Sequence, residues 1–310
     1  MRKIIGHKNI IDGINKRYLN SSFSHANLIT GEDGIGKSLI GMYLANKIMG
    51  KDDQTECVDI IKCYPSGTSF GVDDIRNIIE EVNKKPYEGD KKVLILYNCE
   101  KLTQQAQNAF LKTIEEPPKG VYLILLSDSL DTILDTIQSR CQIYKLTPLS
   151  KDEILEYINI SYRDINMEDK QSALAYSIGI PGKVDKFLND DNLGRLRDIG
   201  INLFKDLLNK EEGIVLKYQN LLKDSKNEVN DLINIFLSYV RDIMILKELN
   251  NEELIVNSDK IESIRVIARG MSYKRLNNML EYIKEATLNI SSNTNYSMTI
   301  SVLLMGFVEV

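Results

Sequence analysis

Gly31-Glu32-Asp33-Gly34-Ile35-Gly36-Lys37-Ser38 satisfies the phosphate-loop pattern G-x-x-x-x-G-K-[ST] at every defined position. The flanking residues suit that reading. Asn27 to Thr30 is a short apolar run fit for a buried strand, and Leu39 to Ile48 predicts a helix opening at the loop. Gly31, Gly34 and Gly36 let the backbone curl so that its N–H groups, Ile35's among them, face a phosphate. The helix N-terminus adds its positive end, Lys37 reaches for the outer phosphates, and the Ser38 hydroxyl is placed to ligate Mg²⁺. Nucleotide binding follows from this stretch; hydrolysis needs further residues.

Working outward, residues 1–26 predict a helix with Ile10, Ile11, Ile14 and Tyr18 on its buried face. Val58 to Ile61 reads as a second strand and Val72 to Lys84 as a helix burying Ile75, Ile78, Ile79 and Val82. Lys91 to Tyr97, Val121 to Ser127 and Gln142 to Leu146 give three more strands. Thr103 to Glu116 is a helix stopped by Pro117-Pro118. Strands that alternate with helices and are apolar almost throughout imply a parallel sheet covered on both faces. The composition changes after Pro148. Ser150 to Ile158, Asp169 to Tyr176 and Lys183 to Leu188 read as a small helical region, the last helix following Gly179-Ile180-Pro181-Gly182. Helical stripes follow, with Leu232, Ile235, Phe236, Tyr239, Ile243 and Leu246 on one face, then Leu276, Leu280, Ile283 and Leu288.

The 310 residues allow two or three domains, and 43% hydrophobic with 27% charged residues is the balance of a soluble globular protein. No apolar run approaches a membrane span, and Met1 to Gly6 lacks signal-peptide character, so a cytoplasmic protein is expected. A formal charge of −5 argues against strong autonomous binding to nucleic acid. Cys57, Cys63, Cys99 and Cys141 form no second close pair, and no histidine completes a tetrahedral set, so no zinc is expected and reduced thiols are.

Several stretches beyond the loop carry a family likeness. They are Ile5-Gly6-His7, Ser24-His25-Ala26, Asn108 to Pro118 (NAFLKTIEEPP), Thr136 to Cys141 (TIQSRC) and Asn293-Thr294-Asn295. On these the chain resembles the AAA+ clamp-loader family, its delta-prime branch most closely, well over the first 190 residues and weakly over the last hundred. The resemblance implies an α/β P-loop NTPase fold with an AAA+ RecA-like parallel sheet (1–148), a small helical lid (149–190) and an all-α C-terminal collar (191–310). It implies a place in a hetero-pentamer with gamma/tau and delta subunits, which meets a sliding clamp and primer-template DNA as an assembly. It also implies that Arg140 is an arginine finger, aimed at ATP held by a neighbouring subunit.

The pattern departs where an active family ATPase carries an Asp-Glu-x-Asp run. Here Tyr97-Asn98-Cys99-Glu100 stands at that place. Tyr97 replaces the Mg²⁺-ordering carboxylate, Asn98 cannot act as a base, and Glu100 falls two residues late. Ser127 stands where a polar residue senses the γ-phosphate, and Lys183 near where an active subunit offers an arginine. The connection from Met49 to Val58 is too short for the four-cysteine zinc module that such subunits often carry. The expectation is a mostly non-hydrolysing stator that binds ATP or ADP with little or no Mg²⁺. The alternative is a gamma/tau-like motor that recruits Glu100. A small-molecule kinase would leave the Pro-Pro and Ser-Arg-Cys stretches unexplained.

Overall fold

The structure, a computed structural model, describes residues 4–51, 57–292 and 294–309. Met1 to Lys3, the middle of the Met49–Val58 connection and Asn293 therefore lie outside the described residues. Two compact units emerge, Met1–Ser161 with Gly179–Gly182, and Tyr162–Ile178 with Lys183–Val310.

The first unit holds α1 (Lys8–Leu19), β1 (Ala26–Thr30), α2 (Lys37–Met49), β2 (Ile60–Cys63), α3 (Val72–Asn83), β3 (Lys92–Leu96), α4 (Gln104–Glu115), β4 (Val121–Ser127), α5 (Asp135–Gln138), β5 (Gln142–Lys145) and α6 (Lys151–Ser161). The five strands form one parallel sheet in the order β2-β3-β4-β1-β5. Strand alternation sorts the apolar residues into two layers. Leu28, Leu94, Leu96, Leu123 and Leu125 face Ile75, Ile78, Phe110 and Ile114 of α3 and α4. Ile29, Val93, Ile95, Ile124 and Leu126 face Ile14 of α1 and Ile40, Leu44 and Ile48 of α2. Because both faces are covered, the inner strands β1, β3 and β4 are buried almost throughout and read as near-continuous apolar runs, while the edge strands β2 and β5 carry Lys62, Gln142 and Lys145. This is the parallel sheet covered on both faces that the strand pattern predicts, and the architecture that the family resemblance implies.

Three local expectations need correction. The first helix does not span 1–26: Gly6 and His7 adopt left-handed conformations (φ 75° and 52°), so α1 starts at Lys8, and it ends at Leu19. Tyr18 is 44% exposed and not buried, its ring lying against the Lys47 ammonium, 5.4 Å from the ring centroid. Val58 is exposed and precedes β2. The chain turns there because the buried Asp59 carboxylate accepts the N–H groups of Tyr87 and Glu88 at 2.7 and 2.9 Å.

The second unit is helical, with α7 (Met167–Ser177), α8 (Pro181–Asn189, its first two residues counted with the first unit), α9 (Asp191–Asn209), α10 (Ile214–Leu222), α11 (Val229–Leu249), α12 (Ile261–Gly270), α13 (Tyr273–Ser291) and α14 (Tyr296–Glu309). Its core centres on Phe204, Phe236 and Phe307, all fully buried, with ring centroids 5.8–6.3 Å apart. Leu276 and Ile283 are buried in it as expected, whereas Leu288 is 62% exposed, on the outer side of α13. Arg197 is buried beside Asp259 (2.6 Å), its guanidinium stacked over the Phe187 ring at 4.5 Å. Phe204→Ala is expected to destabilise this unit by about 3–5 kcal/mol, because it removes a ring that touches three others and leaves a cavity. Chemical denaturation followed by circular dichroism reads this directly; a midpoint unchanged from the parent would contradict the central place given to Phe204.

Candidate nucleotide site and arginine turn

The phosphate loop links the C-terminal end of β1 to α2, at the edge of a parallel sheet where α/β folds bind ligands. Gly36, at φ 108°, precedes the first residue of α2, and no side chain caps that end. A Cβ built on Gly36 would meet open space, so nothing obstructs the approach to the helix N-terminus, an end that favours anions. Gly34 (φ 80°) is needed for a second reason. The Gly182 N–H donates to its carbonyl at 3.0 Å, and a Cβ on Gly34 would lie 2.9 Å from the Gly182 Cα. The Gly179–Gly182 segment thus lies directly on the loop, with Ile180 buried in the same apolar layer as Ile35.

Ile35 contributes its side chain as an anchor, only 2% exposed, and its N–H donates to the Glu32 carbonyl. His7 reaches the Ile35 carbonyl at 3.2 Å, tying the Ile5-Gly6-His7 stretch to the loop. Ser38 is exposed on the first turn of α2. The Lys37 ammonium donates to the carbonyls of Gly31 (2.8 Å) and Glu32 (3.0 Å) and pairs with Asp128 Oδ1 at 2.7 Å.

Asp128 was not foreseen. The polar residue expected at the end of β4, Ser127, is fully buried, and its hydroxyl donates to the Ser129 carbonyl at 2.8 Å. The next residue reaches the loop instead. Glu100 also comes to this turn, its carboxylate accepting the Asp128 N–H at 3.2 Å. At the end of β3, Tyr97 stacks on Tyr64 with centroids 4.5 Å apart. Burial and the neighbouring Tyr64 push its phenol up to about 12, so at neutral pH it keeps its proton and offers no anionic ligand to Mg²⁺. Asn98 is exposed and left-handed (φ 56°). The loop keeps the glycine torsions of a phosphate-binding turn, and Tyr97 and Asn98 at the end of β3 carry no carboxylate. Lys183 belongs to the second unit.

Arg140 lies at the other end of the sheet. Asn27 pairs with Gln142 and Thr30 with Lys145, so β5 starts level with the start of β1, and Arg140 precedes it. The three-residue rise from Asn27 to Thr30 spans about 10 Å at ~3.3 Å per residue, which puts Arg140 more than that from its own loop. Its Nε pairs with Glu115 Oε1 at 2.5 Å and its Nη1 donates to the Thr136 carbonyl at 2.8 Å, with both side chains of the pair about 40% exposed. The TIEEPP and QSRC stretches therefore meet in space. His25 joins them, its ring nitrogen 3.1 Å from the Ile114 carbonyl and its own carbonyl accepting the Leu123 N–H. Phe23, His25, Glu115 and Pro117 line a groove of about 310 Å³ on this edge. Cys141 is packed behind it, its thiol pushed up to about 12 by burial, so it is no nucleophile. Among the described residues no group of three or more His, Cys, Asp or Glu is arranged to hold a metal, and no helix is long and apolar enough to cross a membrane.

Residues 6–150 match the family model described as DNA polymerase III, delta subunit, and residues 199–308 match its C-terminal counterpart. Three curated relatives illustrate the range. DNA polymerase III subunit delta' of Haemophilus influenzae is 32% identical over 51% of this chain and 53% of its own length. Subunit delta' of Bacillus subtilis is 25% identical over 88% of this chain and 87% of its own. Subunit gamma of Buchnera aphidicola from Schizaphis graminum is 24% identical over 98% and 94%. With the two models spanning most of its length, the chain belongs to the DNA polymerase III delta-subunit family, among the delta-prime and gamma-type clamp-loader subunits of DNA replication.

Proposed function

We propose that this chain is a delta-prime-like stator of the replicative clamp loader, which lends Arg140 to a neighbouring ATPase and hydrolyses little or no ATP itself. The observation that carries this reading is the separation of loop and arginine. A guanidinium at the far end of the sheet from its own phosphate loop can serve only a phosphate bound to another molecule. A planar guanidinium suits the charge that spreads over a transferring phosphoryl group. The exposed pair with Glu115 is weak enough to exchange for that phosphate. The absence of a carboxylate at Tyr97-Asn98 supports the lack of turnover.

In this reading residues 149–190 act as the lid and 191–310 as the collar. The subunit joins gamma/tau and delta partners in a cytoplasmic hetero-pentamer that acts on the clamp and primer-template DNA. Met298, Val302, Met305 and Val308, 41–70% exposed at helical spacing along α14, give the collar an apolar face to dock. Gly31, Gly34, Ile35, Gly36, Lys37 and Ser38 hold ATP or ADP with weak Mg²⁺.

Glu100 beside Asp128 is the one feature that favours a self-sufficient motor. Titrating the isolated chain with a fluorescent ATP analogue and Mg²⁺ while following phosphate release separates the two readings. Binding without release is expected. Sustained release that Lys37→Ala abolishes would replace the stator with the motor.

A further inference from the structure

An ammonium group has three N–H donors, and Lys37 spends all three inside the protein, on the Gly31 and Glu32 carbonyls and on Asp128. The two carbonyls belong to the loop itself. The third acceptor is a carboxylate from a different strand end, placed where the loop lysine would meet the outermost phosphate of a bound nucleotide. Asp128 is well held there. Its N–H is fixed by Glu100, and the turn that follows is closed by Ser127 Oγ and Thr132 Oγ1, which both donate to the Ser129 carbonyl at 2.8 and 3.0 Å. Asp131 N–H in turn donates to Ser129 Oγ at 3.1 Å. Between loop and turn lies a cavity of about 340 Å³ lined by Gly31, Glu32, Asp128, Asp131 and Lys145. Three of those side chains are acidic, and the Lys37 side chain is only 11% exposed, whereas its partner Asp128 is 41% exposed at the mouth of the cavity.

We propose that Asp128 makes this loop selective for nucleoside diphosphates, its carboxylate holding the Lys37 ammonium in the place of a terminal phosphate. The inference rests on the loop's binding a nucleotide at all. The two phosphates of a diphosphate are met by loop N–H groups and the α2 N-terminus, and the Lys37–Asp128 pair survives beside them. A third phosphate must displace Asp128 from Lys37 and then sit beside the freed carboxylate, two like charges in a partly enclosed space. The same device would leave the subunit, once loaded, insensitive to the ATP that drives its neighbours.

The test is calorimetric titration of the full chain with ADP and with ATP, each with and without Mg²⁺, for the parent, Asp128→Asn, Asp128→Ser and Lys37→Ala. Melting curves establish that each variant is folded, and the half-exposed position of Asp128 leads us to expect that they are. The parent is expected to bind ADP at least about tenfold more tightly than ATP, equivalent to ~1.4 kcal/mol. Both Asp128 variants are expected to gain ATP affinity by that factor with ADP little changed, and Lys37→Ala is expected to lose both. ATP binding that appears only in the Asp128 variants would also support the proposal. Equal binding of ADP and ATP by the parent would overturn the selectivity and leave the nucleotide site standing. So would Mg²⁺-dependent ATP binding that Asp128→Asn destroys, because that would make Asp128 a metal ligand. No binding in any variant would overturn both.

Discussion

Replacing Arg140 with alanine in a reconstituted clamp loader is expected to lower ATP turnover at the site it serves by about 10³-fold or more, the scale on which arginine fingers act. The isolated subunit should lose almost nothing in stability. Arg140 and Glu115 form an exposed pair, and such pairs contribute ~0–1 kcal/mol. Arg140→Lys is expected to be nearly as inactive as the alanine variant, since a point charge cannot reproduce the planar fork. Glu115→Gln makes the complementary control. It removes the partner that holds Arg140 in the free chain, so turnover should be kept. Clamp- and DNA-stimulated phosphate release, measured with each variant in place, reads all three. Unchanged turnover in Arg140→Ala would end the finger assignment.

The second large effect is expected on assembly. Val302 and Met305 lie on the outer face of α14, 41% and 49% exposed, while Leu303, Leu304 and Phe307 of the same helix are buried in the core. Converting both outer residues to aspartate leaves that core untouched, so the chain should fold. In a dry collar contact, each loses an apolar side chain worth roughly 1.5–3 kcal/mol and buries a carboxylate that would be unpaired. The double variant is expected to weaken association with partner subunits by at least about 100-fold, or ~2.8 kcal/mol. Sedimentation velocity with the other loader subunits measures it. Full assembly by the double variant would move the collar contact to another face.

Much of this was legible in the sequence for identifiable reasons. The inner strands announced themselves because helices cover both sheet faces, so most positions of β1, β3 and β4 had to be apolar. The Pro-Pro stop after α4 was equally local, the helix ending at Glu115 just before it, while the structure makes Thr103, read as the first helical residue, the cap whose hydroxyl accepts the Ala106 N–H. The phosphate loop was readable because its geometry demands glycines at fixed spacing. What escaped was set by contacts between distant segments or by a single backbone torsion. Left-handed torsions at Gly6 and His7 shortened α1, and periodicity cannot see them. The pairing of Arg140 with Glu115 depends on the register of β5 against β1 and of β1 against β4, so two motifs 25 residues apart read as separate signals. The choice between Ser127 and Asp128 depended on which way a strand end turns. A serine beside an aspartate gives no pattern to decide that. The serine turned inward to bond its own turn, and the aspartate met the lysine.

In the proposed stator, Arg140 serves catalysis at a neighbouring subunit while this chain's own loop does not hydrolyse. The most direct measurement compares steady-state ATP turnover of the reconstituted loader with Lys37→Ala or Arg140→Ala in this chain alone. Lys37→Ala is expected to keep the parent rate, because a stator turns over nothing at this loop, while Arg140→Ala is expected to lose the rate of the neighbouring site. Lys37→Ala costing as much as Arg140→Ala, or Arg140→Ala costing nothing, would contradict it.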